Sequence, residues 1–197
     1  MLSRMHYEGF VFFDGWVPTP RLQEYLLDVA NYDQQVASDK GPDTLMELSV
    51  TSQELLEDIL HGFTGEMQEF IDGKEIKWSA KYVTKGFKLE PHNDAALEDD
   101  SYRAGPGLIC LWICPDSFEG REFIYGKVHE LTAVPDISDI AGTYTTIGFN
   151  DPNLEYKGSV KPKTGAGVLV GRTNPIYWHG VTEMTTDSRI ISLIGYM

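Results

Sequence analysis

The chain has 197 residues, 42% hydrophobic and 12% aromatic, with 23% charged; that balance suits one folded domain with a substantial core and excludes an extended disordered chain. A formal net charge of -14 sets up a negative field that disfavours phosphate backbones and anionic lipid surfaces, so neither nucleic acid nor a membrane is an expected partner. No run approaches the length of a membrane span and residues 1–8 lack the basic and apolar segments of a signal peptide, so a cytoplasmic protein is expected.

A short strand is predicted at residues 10–13. Thr19-Pro20 reads as an N-cap followed by proline at the first helical position, after which Leu22, Tyr25, Leu26, Val29 and Ala30 fall on one helical face. A second helix is predicted from Thr51, where Thr51-x-x-Glu54 has the capping-box pattern, through Leu55, Ile59, Phe63, Met67 and Ile71 to a stop at Asp72-Gly73. Both helices are expected to lie against the outside of a sheet. From Ile76 onward, short apolar runs separated by Gly, Pro, Asn and Asp give strands near residues 76–84, 86–91, 107–114, 121–125, 143–148, 158–161, 167–171, 176–182 and 188–196. That is the pattern of an antiparallel sandwich or barrel.

Residues 95–107, with Glu98, Asp99 and Asp100, read as an exposed acidic loop, and residues 128–142 as a second irregular stretch. Residues 177–181 and 188–191 read as the arms of a hairpin that turns at Thr185, Thr186 and Asp187. The two cysteines, Cys110 and Cys114, stand four residues apart in one predicted strand. At about 3.3 Å per residue their Cα atoms are about 13 Å apart, too far for a disulfide, so two small core residues and a reducing compartment are expected.

The chemistry gathers at His92-x-Asp94, followed far downstream by His179, with Arg189 ten residues beyond that. Two imidazoles and one carboxylate form the ligand set that holds ferrous iron on one face and leaves the opposite face open. Strand side chains repeat every two residues, so His92 and Asp94 of an extended segment reach the same side. A guanidinium grips a carboxylate through two parallel charge-assisted hydrogen bonds, and Arg189 in so apolar a strand is costly to bury without an anionic partner. Taken singly, each has a plainer reading: a surface turn for His-x-Asp, an edge position or an internal salt bridge for Arg189. His6, His61 and His129 lack partners at ligand spacing, Trp112 and Trp178 suit a core or pocket wall, and Gly165-x-Gly167 lacks the strand-to-helix context of a phosphate loop.

This ordered set resembles the iron(II)- and 2-oxoglutarate-dependent oxygenases, most closely their prolyl 4-hydroxylase-like branch. The resemblance covers about the last 120 residues. It rests on Tyr82-x-x-x-Gly86 leading into Pro91-His92-x-Asp94, on Asp116-x-Phe118-x-Gly120-x-Glu122-Phe123, and on Gly165-x-Gly167-Val168-Leu169-Val170 ahead of His179 and Arg189. It implies a mostly β fold with flanking N-terminal helices, a double-stranded β-helix (a cupin-like jelly roll). The whole of residues 1–197 then forms a single domain, with helical support over about 19–72 and the jelly-roll core over about 76–197.

The same resemblance implies His92, Asp94 and His179 as ligands of Fe(II). It implies 2-oxoglutarate as co-substrate, its C5 carboxylate held by Arg189 and by the Tyr82 hydroxyl, and ascorbate as a stimulant. The implied reaction takes up dioxygen and hydroxylates a prolyl, peptidyl or small amino-acid-like substrate, releasing succinate and carbon dioxide. Two alternatives stand beside it: a non-catalytic jelly-roll binding protein, and a zinc-dependent hydrolase on the same His/Asp/His set. Arg189 discriminates, because a hydrolase has no need of an anchored dicarboxylate. One departure concerns the strand after the ligand pair, where many prolyl hydroxylases carry a further tyrosine; here Leu108 to Cys114 offers only Trp112 and the thiols.

Overall fold

A computed structural model describes residues 9–37, 46–93, 107–129, 145–146, 149–171 and 176–197. Among them are strands β1 (Phe10–Asp14), β2 (Met46–Val50), β3 (Lys77–Val83), β4 (Leu89–Asn93), β5 (Gly107–Ile113), β6 (Phe123–Val128), β7 (Thr145–Thr146), β8 (Leu154–Val160), β9 (Ala166–Gly171), β10 (Tyr177–Val181) and β11 (Ile190–Tyr196). The helices are α1 (Pro20–Ala37), α2 (Gln53–His61) and α3 (Glu66–Ile71). The strands form two antiparallel sheets, a larger one in the order β1-β9-β5-β11-β3-β2 and a smaller one in the order β7-β4-β10-β6-β8. From β3 to β6, and again from β9 to β11, the chain passes alternately from one sheet to the other, which winds the two sheets into a double-stranded β-helix. The expected mostly β jelly roll with N-terminal helices is the observed fold.

The larger sheet is buried on both faces, and its central strand shows why the sequence there runs apolar without alternation. Along β5, Leu108, Cys110 and Trp112 face the gap between the sheets, while Ile109, Leu111 and Ile113 join the core under the helices. That second core takes in Trp16, Leu22, Leu26 and Ile59, none of them exposed. Each such aliphatic side chain contributes roughly 1.5–3 kcal/mol by leaving water. Among the described residues no helix is long and apolar enough to cross a membrane. Cys110 and Cys114 are both free thiols.

The first helix begins as predicted: the Leu22 N–H donates to the Thr19 hydroxyl at 3.2 Å. The second predicted helix is in fact two. Its N-cap is Ser52 rather than Thr51, and no side-chain bond caps it. It stops at Gly62, which packs beneath Trp16: a Cβ there would come within 2.5 Å of the indole Nε1, and that nitrogen donates to the Ile59 carbonyl at 3.2 Å. Gly65, at φ 58°, then turns the chain into α3. The predicted hairpin at residues 177–191 is also not formed. β10 lies in the smaller sheet and β11 in the larger, so the turn residues cross between sheets. Strand β2 was not predicted, although Met46, Leu48 and Val50 alternate with Glu47 and Ser49; it adds to the larger sheet beside β3.

Helices α1 and α2 are tied by Arg21, whose Nε donates to Asp58 at 2.6 Å and whose Nη1 reaches Glu54 at 3.1 Å. The bond from Arg21 holds the buried Asp58 carboxyl below its usual pKa. A depressed carboxylate pKa stabilises the fold above the unfolded value, and the effect is lost as the pH falls through the folded one. Asp58→Asn is therefore expected to lower the melting temperature at pH 7. The gap to the parent closes only as the pH is taken below the ordinary aspartate range, which thermal melts across a pH series measure. A constant gap would mean that shape rather than charge holds the helices together.

Candidate active site

His179 stands in the middle of β10 with β4 on one side and β6 on the other, paired with His92 and with Tyr125. The β4–β10 ladder slips by one residue between the His179–His92 and Val181–Leu89 pairs. The extra residue of β4 falls in the segment that carries Pro91, which has no N–H to give a ladder and so belongs at a bulge. Gly180 lets the strands close there, since a Cβ on it would lie 2.9 Å from the Leu89 carbonyl oxygen. The outcome is two imidazoles with ring centroids 4.4 Å apart, 3% and 7% exposed for His92 and His179.

Both rings are held in place. His92 Nδ1 lies 2.7 Å from the Glu90 carbonyl oxygen. A carbonyl can only accept, so Nδ1 carries the hydrogen and Nε2 is the nitrogen whose lone pair a metal would take. His179 stacks on Phe123, centroids 5.3 Å apart and planes 16° from parallel, with the edge of Phe10 at 6.2 Å. Asp94 lies outside the described residues, as do the acidic loop read at residues 95–107, save Gly107, and residues 130–142 of the second irregular stretch. Among the described residues no group of three or more His, Cys, Asp or Glu side chains could hold a metal. The pair His92 and His179 is thus the described part of the expected set, and the donors present fit a borderline divalent metal such as ferrous iron.

The two histidines line a cavity of about 260 Å³ between the sheets. It is small beside typical ligand pockets of roughly 300–1,000 Å³, and suited to a small molecule. Its larger-sheet wall includes Lys81, Cys110, Trp112 and Ser192, and its smaller-sheet wall includes Arg121 and Phe123. The described residues that line it include Lys81 and Arg121 and neither an aspartate nor a glutamate, so the described wall is cationic in a chain of net charge -14.

Tyr82 and Arg189 are not brought to this cavity. On β3 it is Lys81 and Val83 that face it; Tyr82, one residue out of phase, is buried with Trp78 and Ala80 in the core under the helices. On β11, Ser192, Ile194 and Tyr196 face the cavity, whereas Ile191 and Leu193 belong to the core on the other side. Arg189, immediately before β11 and half-buried, falls on the phase of Ile191 and Leu193. Period-2 alternation fixes both outcomes: a shift of one residue sends a side chain to the opposite face.

The residue that sequence reading passed over is Arg121, 4% exposed at the entrance to β6. One Nη donates to the Ser192 hydroxyl at 2.8 Å, and the guanidinium carbon sits 5.7 Å from the centre of the Phe87 ring. Its Nε and other Nη have no hydrogen-bond partner among the described residues. Burial pushes its pKa down to about 10, which leaves it cationic at neutral pH. Burial likewise raises the Cys110 thiol to about 11 and Cys114 to about 12, so neither neighbour becomes a thiolate to balance it. The sequence signal was present: an arginine directly ahead of the apolar strand Phe123-Ile124-Tyr125-Gly126.

No protein-family model matches the sequence, and no curated protein matches it. Solved structures do share its fold. The chain is similar to the viral collagen prolyl hydroxylase vCPH from Paramecium Bursaria Chlorella virus-1, solved as a 2OG complex, with 12% identity and a TM-score of 0.55 over 96% of this chain and 97% of that one. It is similar to a prolyl hydroxylase from Trichoplax adhaerens, solved with a hypoxia inducible factor peptide fragment, with 11% identity and a TM-score of 0.57 over 99% and 86%. It is also similar to HygX from Streptomyces hygroscopicus, solved with nickel and 2-oxoglutarate, with 14% identity and a TM-score of 0.55 over 98% and 84%.

Proposed function

We propose that this chain, which has the double-stranded β-helix fold of these oxygenases, is an iron(II)- and 2-oxoglutarate-dependent dioxygenase that takes up dioxygen and hydroxylates its substrate. The observation that carries the reading is the pair of buried imidazoles, His92 and His179, placed side by side on the wall of a small cationic cavity. Asp94, two residues past His92, would complete a two-histidine, one-carboxylate set for the metal. A zinc hydrolase on the same three ligands has no use for a buried guanidinium in the wall of the same cavity, which favours the oxygenase.

When bound, ferrous iron with 2-oxoglutarate supplies the oxidising power: one oxygen atom of dioxygen goes to succinate as carbon dioxide leaves, and the other enters a substrate C–H bond. The chain's own residues hold and orient. The Glu90 carbonyl fixes the His92 tautomer, and Phe123 fixes the plane of His179. Trp112, Phe123 and Val181 give the cavity an apolar lining that keeps water from the reacting centre. A cavity of this size accommodates the co-substrate, so a prolyl, peptidyl or amino-acid-like substrate approaches from outside it. The peptide and 2-oxoglutarate bound by the similar structures support that division. The free thiols suit a reducing, cytoplasmic setting.

The test is succinate release from 2-oxoglutarate in air with ferrous iron and ascorbate, followed by mass spectrometry of a peptide and amino-acid panel for the gain of one oxygen. Succinate above the protein-free level supports the class, and a product heavier by one oxygen identifies the substrate. No succinate at saturating iron and 2-oxoglutarate overturns the reading.

A further inference from the structure

Buried charge without a counter-charge is expensive, and Arg121 carries a backbone strain beside that cost. Its guanidinium is almost wholly buried with two nitrogens unpartnered among the described residues. Its backbone, at φ 48°, is the one non-glycine residue with positive φ among them. A left-handed conformation is unfavourable for a residue with a Cβ. The strain has a geometric use. Gly120 and Arg121 both turn left-handed where the chain enters β6, against the Glu183 carbonyl that accepts from the Arg121 N–H at 3.1 Å. That turn aims the side chain into the space between the sheets, toward Ser192 on β11.

Strained, buried and incompletely paired groups that face a cavity mark ligand contacts. Nη2 gives one hydrogen to the Ser192 hydroxyl and keeps a second, which with the N–H of an unpartnered neighbouring nitrogen forms a two-pronged edge that a carboxylate accepts. We propose that Arg121, assisted by the Ser192 hydroxyl, anchors the distal carboxylate of a 2-oxo dicarboxylic acid in the cavity, in the place that sequence order gave to Arg189. This rests on the oxygenase reading above, and it deepens that reading by naming the residue that selects the co-substrate. His92 and His179 line the same cavity, so the acid's 2-oxo end faces the metal ligands while its far end meets Arg121.

The test compares 2-oxoglutarate with 2-oxopentanoate, the same carbon chain ending in a methyl group where 2-oxoglutarate has its distal carboxylate. Binding is read without turnover, with Mn(II) as metal, from quenching of tryptophan fluorescence, since Trp112 forms part of the cavity wall. The parent protein is expected to prefer 2-oxoglutarate by at least about 30-fold, the cost of leaving a buried cation unpaired. R121Q is expected to bring the preference to within about threefold while leaving Mn(II) and 2-oxopentanoate binding unchanged, a pattern that general damage to the fold does not produce. R189Q is expected to keep the parent's preference.

R121Q that discriminates like the parent, or a preference lost in R189Q alone, overturns the anchor and leaves the oxygenase reading standing. A parent that binds Mn(II) and neither oxo acid overturns that reading and the anchor with it. Should R121Q fail to fold, R121K decides. Lysine keeps the charge without the two-pronged geometry, so a preference cut by at least about fivefold supports the anchor and an unchanged one overturns it.

Discussion

On the proposed reading, His179→Ala is expected to abolish succinate formation and to weaken ferrous iron binding by more than about 100-fold, because it would remove one of three protein donors. Asp94→Ala is expected to do the same. On the proposed reading both variants fail by losing the metal. His179→Ala also vacates the contacts of a buried ring with Phe123 and Phe10, so its metal-free form is expected to melt lower than the parent, and iron affinity is the readout that tests the ligand role. Iron affinity measured by equilibrium competition, alongside succinate assays, checks both. Normal turnover in both variants would put the metal on other residues.

Gly120→Ala is the substitution expected to cost the fold most. Gly120 has φ 74°, and a Cβ on it would lie 2.0 Å from the Glu183 carbonyl oxygen and 3.1 Å from the Thr185 nitrogen. Those atoms belong to the β10–β11 crossing, which is laced to this turn through Thr185 N–H to the Glu119 carbonyl at 3.1 Å and Arg121 N–H to the Glu183 carbonyl at 3.1 Å. The methyl group therefore meets backbone that is tied down, and relief requires moving the turn that carries Arg121. A left-handed penalty and overpacking against backbone together cost about 2–4 kcal/mol. Urea unfolding measures it, and a change within about 0.5 kcal/mol would show that the crossing gives way freely. Because Arg121 moves with the turn, loss of 2-oxoglutarate affinity is expected to accompany the loss of stability.

Much of the architecture is legible in the sequence because it rests on local signals. Thr19-Pro20 starts α1 through a hydroxyl cap, and the apolar run of β5 announces a strand buried on both faces. The ladder partners were not legible. Residues 177–181 and 188–191 are close in sequence and each reads as a strand, yet they join different sheets, a choice set by the winding of the whole jelly roll. The break between α2 and α3 was hidden for a similar reason. Apolar residues keep helical spacing across Gly62, and only the packing of Trp16 on that glycine forces the stop.

The candidate site divides along the same line. His92 and His179 were found by residue type and order, and the fold pairs them across β4 and β10. For Tyr82 and Arg189 residue type and order leave the strand face open, and a one-residue phase decides it; the residues of β3 and β11 that face the cavity include Lys81, Val83 and Ser192. Arg121 is hidden because its importance lies in a buried charge with two nitrogens unpartnered among the described residues, and that is a property of three-dimensional packing. Cavity chemistry, more than motif order, therefore identifies the cationic end of this site.

On the proposed reading, the histidine pair holds ferrous iron with 2-oxoglutarate bound to it. Anaerobic addition of ferrous iron and then 2-oxoglutarate tests this most directly, read as visible absorption before any oxygen is admitted. A weak charge-transfer band is expected, saturating at one equivalent of 2-oxoglutarate per protein and lost in His179→Ala. A featureless visible spectrum at saturating iron and 2-oxoglutarate would contradict it.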